Sequence, residues 1–200
     1  MTPSVAHLPL LGVVAGFRRF SIPEYHHLAQ IGILTEDDNL ELLEGYLVHK
    51  MIRNPPHDCS LHLLLQNLFP LMPKGWHVRC QAAVTLSDSE PEPDLALVRI
   101  DAANYKHRHP GPADIALVIE VADSSLAGDR EDKCRIYARA GIQVYWIVNL
   151  VETQIEVYSS PVGDPTPGYR DRMDRRLGDE IEVMLEGRRV GSVAVSAVLG

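Results

Sequence analysis

The chain has 200 residues, 46% of them apolar and 23% charged, with a formal net charge of −8. That length supports one sizeable core, and no Gly/Ser-rich or Pro-rich linker divides it, so the expectation is a single domain over residues 1–200. The negative balance argues against a broad basic surface that coats nucleic acid by bulk electrostatics, though not against an enzyme with a local basic rim.

Cys59, Cys80 and Cys134 are odd in number and widely spaced, with no C-x-x-C pair, which fits reduced thiols in the cytoplasm better than a disulfide framework. The nine histidines form neither H-E-x-x-H nor a Cys/His quartet, and His57 and His62, five apart, fall on different sides of a helix. Zinc is therefore disfavoured. The stretch AHLPLLGVVAGF at the N-terminus has its arginines after the apolar part and is broken by Pro9 and Gly12. It makes a poor signal peptide and is too short for a membrane span, so the expected setting is the cytoplasm, with no membrane partner.

In chain order, Ser21-Ile22-Pro23-Glu24 is a capping box with Pro just inside the helix start, predicting a helix to about Ile31. Leu40–Met51 reads as a hairpin turning at Glu44-Gly45, with the acid Glu41 at a strand position. Glu41 is either an exposed acid on an edge hairpin or part of a site. Residues 54–58 read as a loop, SLHLLLQNLFPLM as a buried helix, and Trp76–Leu86 as a strand. Pro93-Asp94 then leads into the apolar strand LALVRI. Residues 101–113 form a basic excursion in which Lys106 and Arg108 are either solvated or the place where a nucleic-acid backbone is met. Residues 160–180, rich in Pro and Gly, read as loops, and IEVML and VGSVAVSAVL finish the sheet or pack a last short helix.

The organising stretch is IALVIEVADSSLAGDREDKCRIYARAGIQVYWIV, residues 115–148. Glu120 interrupts an apolar run that otherwise reads as a buried central strand. A carboxylate there is costly unless a cation or hydrogen-bond donors meet it. On the helix that follows, Lys133, Ile136, Tyr137 and Ala140 share one face, with Asp129 one turn earlier. Asp129 and Lys133 are either an i,i+4 pair at the helix end or point back at the strand carboxylates. A short βα loop folds such a helix across its own strand, which favours the second arrangement. Paired carboxylates on neighbouring strands suit a hard divalent cation such as Mg²⁺, and a lysine beside them can orient water. No P-loop, G-x-S-x-G or G-x-G-x-x-G is present.

Pro93-Asp94, Glu120-Val121, Asp129, Lys133, Tyr137 and the YWIV at 145–148 resemble the Uma2 (DUF820) family of the PD-(D/E)XK restriction-endonuclease-like superfamily. The resemblance implies an α/β core with a mixed central sheet flanked by helices, and Mg²⁺- or Mn²⁺-dependent hydrolysis of DNA phosphodiesters. It implies Asp94 and Glu120 as metal ligands, with the main-chain carbonyl of Val121 as a third, and Glu41 as an acid of the first hairpin. The superfamily's lysine is expected two residues after the glutamate, where this chain has Ala122, and Lys133 looks like its substitute. Asp129 and Tyr137 support the site. DNA is the expected partner, with a homodimer left open. The alternative is a nuclease-fold protein that binds nucleic acid or serves assembly without cleavage.

Overall fold

The computed structural model describes residues 16–200, so the expectation about the apolar stretch falls, up to residue 15, outside the described residues. No described helix is long and apolar enough to cross a membrane.

Helix α1 (Ile22–Gln30) starts on Ser21 with the capping box in place. Strands β1 (Leu40–Leu43) and β2 (Tyr46–His49) form a separate hairpin. Its turn is Glu44-Gly45, both at positive φ (50° and 81°), as a tight two-residue hairpin turn requires. A side chain at Gly45 would press on the backbone of Phe20 and the side chain of Arg19, so glycine answers both demands there.

Helix α2 is Pro55–Leu68, capped by Asn54, whose Oδ1 accepts from the His57 N–H. Its first turn thus includes residues expected in a loop. The prolines at N1 and N2, where no intrahelical N–H is needed, favour the helix start and do not oppose it. Strand β3 (Trp76–Cys80) is shorter than expected: residues 81–93 leave the strand and fold back as a loop ahead of β4 (Leu95–Arg99).

The main sheet has six strands in the order β3-β4-β5-β6-β7-β8, with β5 (Ile115–Ala122), β6 (Val144–Asn149), β7 (Gln154–Val162) and β8 (Gly168–Arg176). Only β5 and β6 pair in parallel. Their helical crossover comprises α3 (Leu126–Gly128), a π-helical turn (Asp129–Lys133) and α4 (Cys134–Arg139), as a parallel connection demands. Residues 160–180 are therefore not loops throughout. Alternating charged residues on β8 have one face in solvent, and the Pro/Gly cluster forms only the turn at 163–167. Strands β9 (Glu180–Leu185) and β10 (Arg188–Ala194) form a second hairpin apart from the main sheet, followed by α5 (Ser196–Leu199).

Two apolar layers sandwich the main sheet. On one face Leu117, Ile119, Val121, Trp146 and Val148 meet Leu61, Leu64 and Leu68 of α2 and Ile181, Val183 and Val193 of the second hairpin. On the other Val118, Ala122, Tyr145 and Ile147 meet Ile136 and Tyr137 of α4. Each fully buried aliphatic side chain contributes about 1.5–3 kcal/mol. All eight residues of β5 are buried, and strand alternation puts Glu120 on the α4 face, between Val118 and Ala122.

A second acid shares that face. Glu156 of β7 is 0% exposed and accepts from Arg130, Asn149 and Tyr158, with Arg172 at 3.4 Å. Burial opposes its ionisation, but those donors and the Arg172 charge hold its carboxyl below the ordinary value of 4.5. A depressed carboxylate contributes stability that is complete above its unfolded-state pKa and is lost as pH falls through its folded one. Thermal unfolding of Glu156→Gln from pH 7 to pH 3 is expected to lose less stability on acidification than wild type, starting from a lower value at pH 7. An identical slope below pH 5 would mean the network does not hold Glu156 ionised.

Candidate active site

Antiparallel pairing of β4 with β5 sets Leu95 opposite Ile119, which places Asp94, just before β4, beside Glu120 near the end of β5. The Asp94 N–H donates to Glu120 Oε2 at 3.3 Å. Asp94 Oδ2 accepts from the Val121 N–H at 2.9 Å and lies 3.0 Å from His57 Nε2. The N–H and C=O of one strand residue point to the same side. The Val121 carbonyl therefore faces the β4 side, just ahead of the first residue of β4, where no neighbouring strand takes it up.

The crossover helix supplies the cation. Lys133 Nζ donates to Glu120 Oε1 at 2.9 Å and lies 3.8 Å from Glu41 Oε1 and 3.9 Å from Asp129 Oδ1. Tyr137 donates its phenol to the same Glu120 oxygen at 2.8 Å. The π-helical turn explains the convergence. The Cys134 N–H bonds the Asp129 carbonyl five residues back, so the widened turn stacks Asp129 over Lys133. Ser125 holds Asp129 Oδ2 at 2.6 Å, and Glu41 Oε2 accepts the Glu92 N–H at 3.0 Å. Glu41 is thus a buried member of the cluster and not an exposed hairpin acid.

The electrostatics are unbalanced. Burial pushes the Glu120 carboxyl well up, against the pull of Lys133 and with the push of Asp129, Asp94 and Glu41. Burial likewise raises Asp129. Burial opposes the Lys133 charge, yet Glu120, Glu41 and Asp129 hold its ammonium well above the ordinary range. Asp94 differs: burial opposes its ionisation, but His57, the Val121 N–H and Lys133 keep it below the usual range. One ammonium faces four carboxylates.

These groups open into a cleft of about 510 Å³, lined also by Lys50, Arg53, Asn54 and Asp123. Among the described residues no three His, Cys, Asp or Glu side chains form a ready cage for a metal ion. The donors do suit Mg²⁺, which takes oxygen ligands and often uses only one or two carboxylates while keeping its waters. Asp94 Oδ1, Glu120 Oε2 and the Val121 carbonyl are the oxygens available to it, and the surplus negative charge favours a divalent ion there.

Asp94, Glu120, Val121, Lys133, Glu41, Asp129 and Tyr137 are therefore brought together. Lys106 and Arg108 are not. They lie in the loop joining the far ends of β4 and β5, opposite the acids, and Arg108 is held by Asp114 and Asp101. The charge of Arg108 is thus taken up by carboxylates at the ends of its own loop. His57 went unrecognised as a neighbour of Asp94 because its turn of α2 reads as a Pro-Pro loop. The N-cap Asn54 three residues before it was the available signal.

A mixed sheet between two helical and hairpin layers, with acids from adjacent strands at one end, is a restriction-endonuclease-like core. The fold is similar to the crystal structure, at 1.96 Å, of "a putative nuclease belonging to DUF820" from Anabaena variabilis ATCC 29413. The match has a TM-score of 0.62 and 13% identity, and covers 90% of this chain and 97% of the other. Residues 22–194 match the Uma2 family, described as "Putative restriction endonuclease". The chain belongs to the Uma2 family. No curated protein matches it.

Because Glu120 is held by too little positive charge, removing its charge should cost the fold little. In EDTA, Glu120→Gln is expected to melt at or above the wild-type temperature, since the amide oxygen still accepts from Lys133 and Tyr137. A loss beyond about 3 kcal/mol, the scale for breaking a buried pair, would show that the Glu120–Lys133 ion pair is structural.

Proposed function

We propose that this chain is a metal-dependent endonuclease that hydrolyses DNA phosphodiester bonds. What supports the reading most directly is the Lys133 ammonium 2.9 Å from Glu120 Oε1. Family membership makes a nuclease the expected class, yet the position two after Glu120 holds Ala122. The π-helical turn delivers the missing cationic group from another element.

Asp94, Glu120 and the Val121 carbonyl would hold Mg²⁺ or Mn²⁺. Such an ion supplies charge neutralisation at a phosphoryl oxygen and a more acidic water. Lys133 would hydrogen-bond the attacking water and the scissile phosphate, which places its charge where negative charge grows in the transition state. Tyr137 positions the ammonium through the Glu120 oxygen it shares with Lys133, and Asp129 does so by direct attraction. His57 and the Val121 N–H keep Asp94 ionised and oriented. The opposite reading, binding without cleavage, draws on the same Ala122, and the experiment must separate the two.

Mg²⁺ or Mn²⁺ should raise the wild-type melting temperature, by about 2.7 kcal/mol of stability at a hundredfold excess over its dissociation constant. Glu120→Gln should lose most of that gain. On plasmid, linear and branched DNA, wild type is expected to cut only with the ion present. Lys133→Ala should still bind the ion by calorimetry, yet cut at least about a hundredfold more slowly, the scale of one electrostatic contact in a transition state. Equal cleavage rates would remove Lys133 from the chemistry. Ion binding without cleavage of any DNA form would establish the non-catalytic reading.

A further inference from the structure

The rim of the cleft carries a feature that the acids and the lysine do not use. Between β2 and α2 the segment Met51-Ile52-Arg53 belongs to no helix or strand, and it lines the same cleft as Glu120 and Asp94. Met51 is 57% exposed and Ile52 89% exposed. Two adjacent aliphatic side chains in water beside a charged cleft bring the fold no burial, and they are flanked by Lys50 and Arg53.

The segment is held at both ends. The Lys50 N–H donates to the Asn39 carbonyl at 2.9 Å, and Asn39 Nδ2 donates to the Lys50 carbonyl at 3.3 Å. At the other end Asn54 caps α2 and donates its Nδ2 to Asp123 Oδ2. Three residues therefore bridge two anchored points, which presents their side chains without a large ordering cost on binding. Lys50 already neutralises Glu92 at 2.7 Å, whereas Arg53 is exposed and pairs with no carboxylate among the described residues.

We infer that Met51 and Ile52 form an aliphatic wedge that enters a base step of double-stranded DNA beside the scissile phosphate, while Arg53 holds the adjoining backbone. This rests on the nuclease reading of the cleft and names its substrate as a duplex that is unstacked locally. Proteins that kink duplexes insert Ile, Leu, Met or Phe between base steps and fix the backbone with basic side chains. Single strands are instead bound by stacking bases on aromatic rings, and no Phe, Tyr or Trp lines this cleft among the described residues. Charge complementarity points the same way. The acids at the cleft floor repel a phosphate backbone unless a divalent cation sits among them, and Arg53 is a cationic group at the rim left to receive it.

The test uses the full chain with Ca²⁺ in place of Mg²⁺, and duplexes carrying 2-aminopurine in TA or CA steps, which unstack most easily. Wild type is expected to bind and to raise 2-aminopurine fluorescence severalfold. Met51→Ser with Ile52→Ser should bind within about threefold of wild type and lose the rise. Arg53→Ala should weaken binding and reduce the slope of log K against log salt by about one, as for one phosphate contact. Circular dichroism melting shows that each variant is folded. A full fluorescence rise with the double variant overturns the wedge. So does binding by wild type with no rise in any duplex, and in both cases the nuclease reading stands. Wild type that neither binds duplex at low salt nor cuts it brings down the wedge and the nuclease reading together.

Discussion

A single ammonium among four carboxylates governs the architecture around the cleft. Lys133 reaches Glu120 of β5, Glu41 of the first hairpin and Asp129 of its own helix, so the hairpin, far off in sequence, converges with two consecutive elements on one charge. Each carboxylate has been taken from water by burial; Glu120, Glu41 and Asp129 divide one cation's attraction, and Asp94 alone has His57 as well. The cluster is therefore tolerated by the fold more than it supports it. Its cost is met by the apolar layers on either face of the sheet, which pack without interruption up to Glu120.

Sheet topology decides where the acids meet. With β4 antiparallel to β5, the residue before β4 lies beside the end of β5, so a loop aspartate and a strand glutamate become neighbours. The parallel β5–β6 pair requires a crossover, and its helix brings Lys133 and Tyr137 back over the same strand. A second effect of the antiparallel pair is that its other loop, with Lys106 and Arg108, is sent to the far end of the sheet. One topological choice gathers the acids and removes the basic loop from them.

Glu120, Asp94 and Lys133 were legible in the sequence because each breaks an apolar or turn pattern that folding alone would keep. The uninterrupted apolar run of β5 made a buried acid visible, and the hairpin turn at Glu44-Gly45 was readable from local chemistry. The first turn of α2 was not, since Pro-Pro marks a loop as readily as a helix start. Nor was the π-helical turn: DREDK contains no Pro or Gly, and one extra residue per turn leaves no mark on a charged segment. Strand β8 escaped because Arg and Asp alternate along it without an apolar face long enough to read as a strand. The charge on the 101–113 loop was visible, but Asp101 and Asp114 close on Arg108 only in three dimensions.

The sheet also contains its own control for what a buried acid means. Glu120 and Glu156 both pair with Ile147, one from each side, so they stand level on the two strands that flank β6 and on the same face. Both are almost wholly out of water. Glu156 is surrounded by donors in proportion to its charge, with Arg130 and Arg172 beside Asn149 and Tyr158, and its ionised form is favoured. Glu120 shares one ammonium with three other acids, and its ionised form is disfavoured. Glu120 lies deeper, and burial is the largest cause that raises it, but exclusion from water is common to the two and so cannot by itself separate an acid matched within the protein from one at a candidate site. The balance of surrounding charge can: a matched carboxylate is complete within the protein, whereas a carboxylate cluster left short of positive charge is complementary to something the chain does not itself provide.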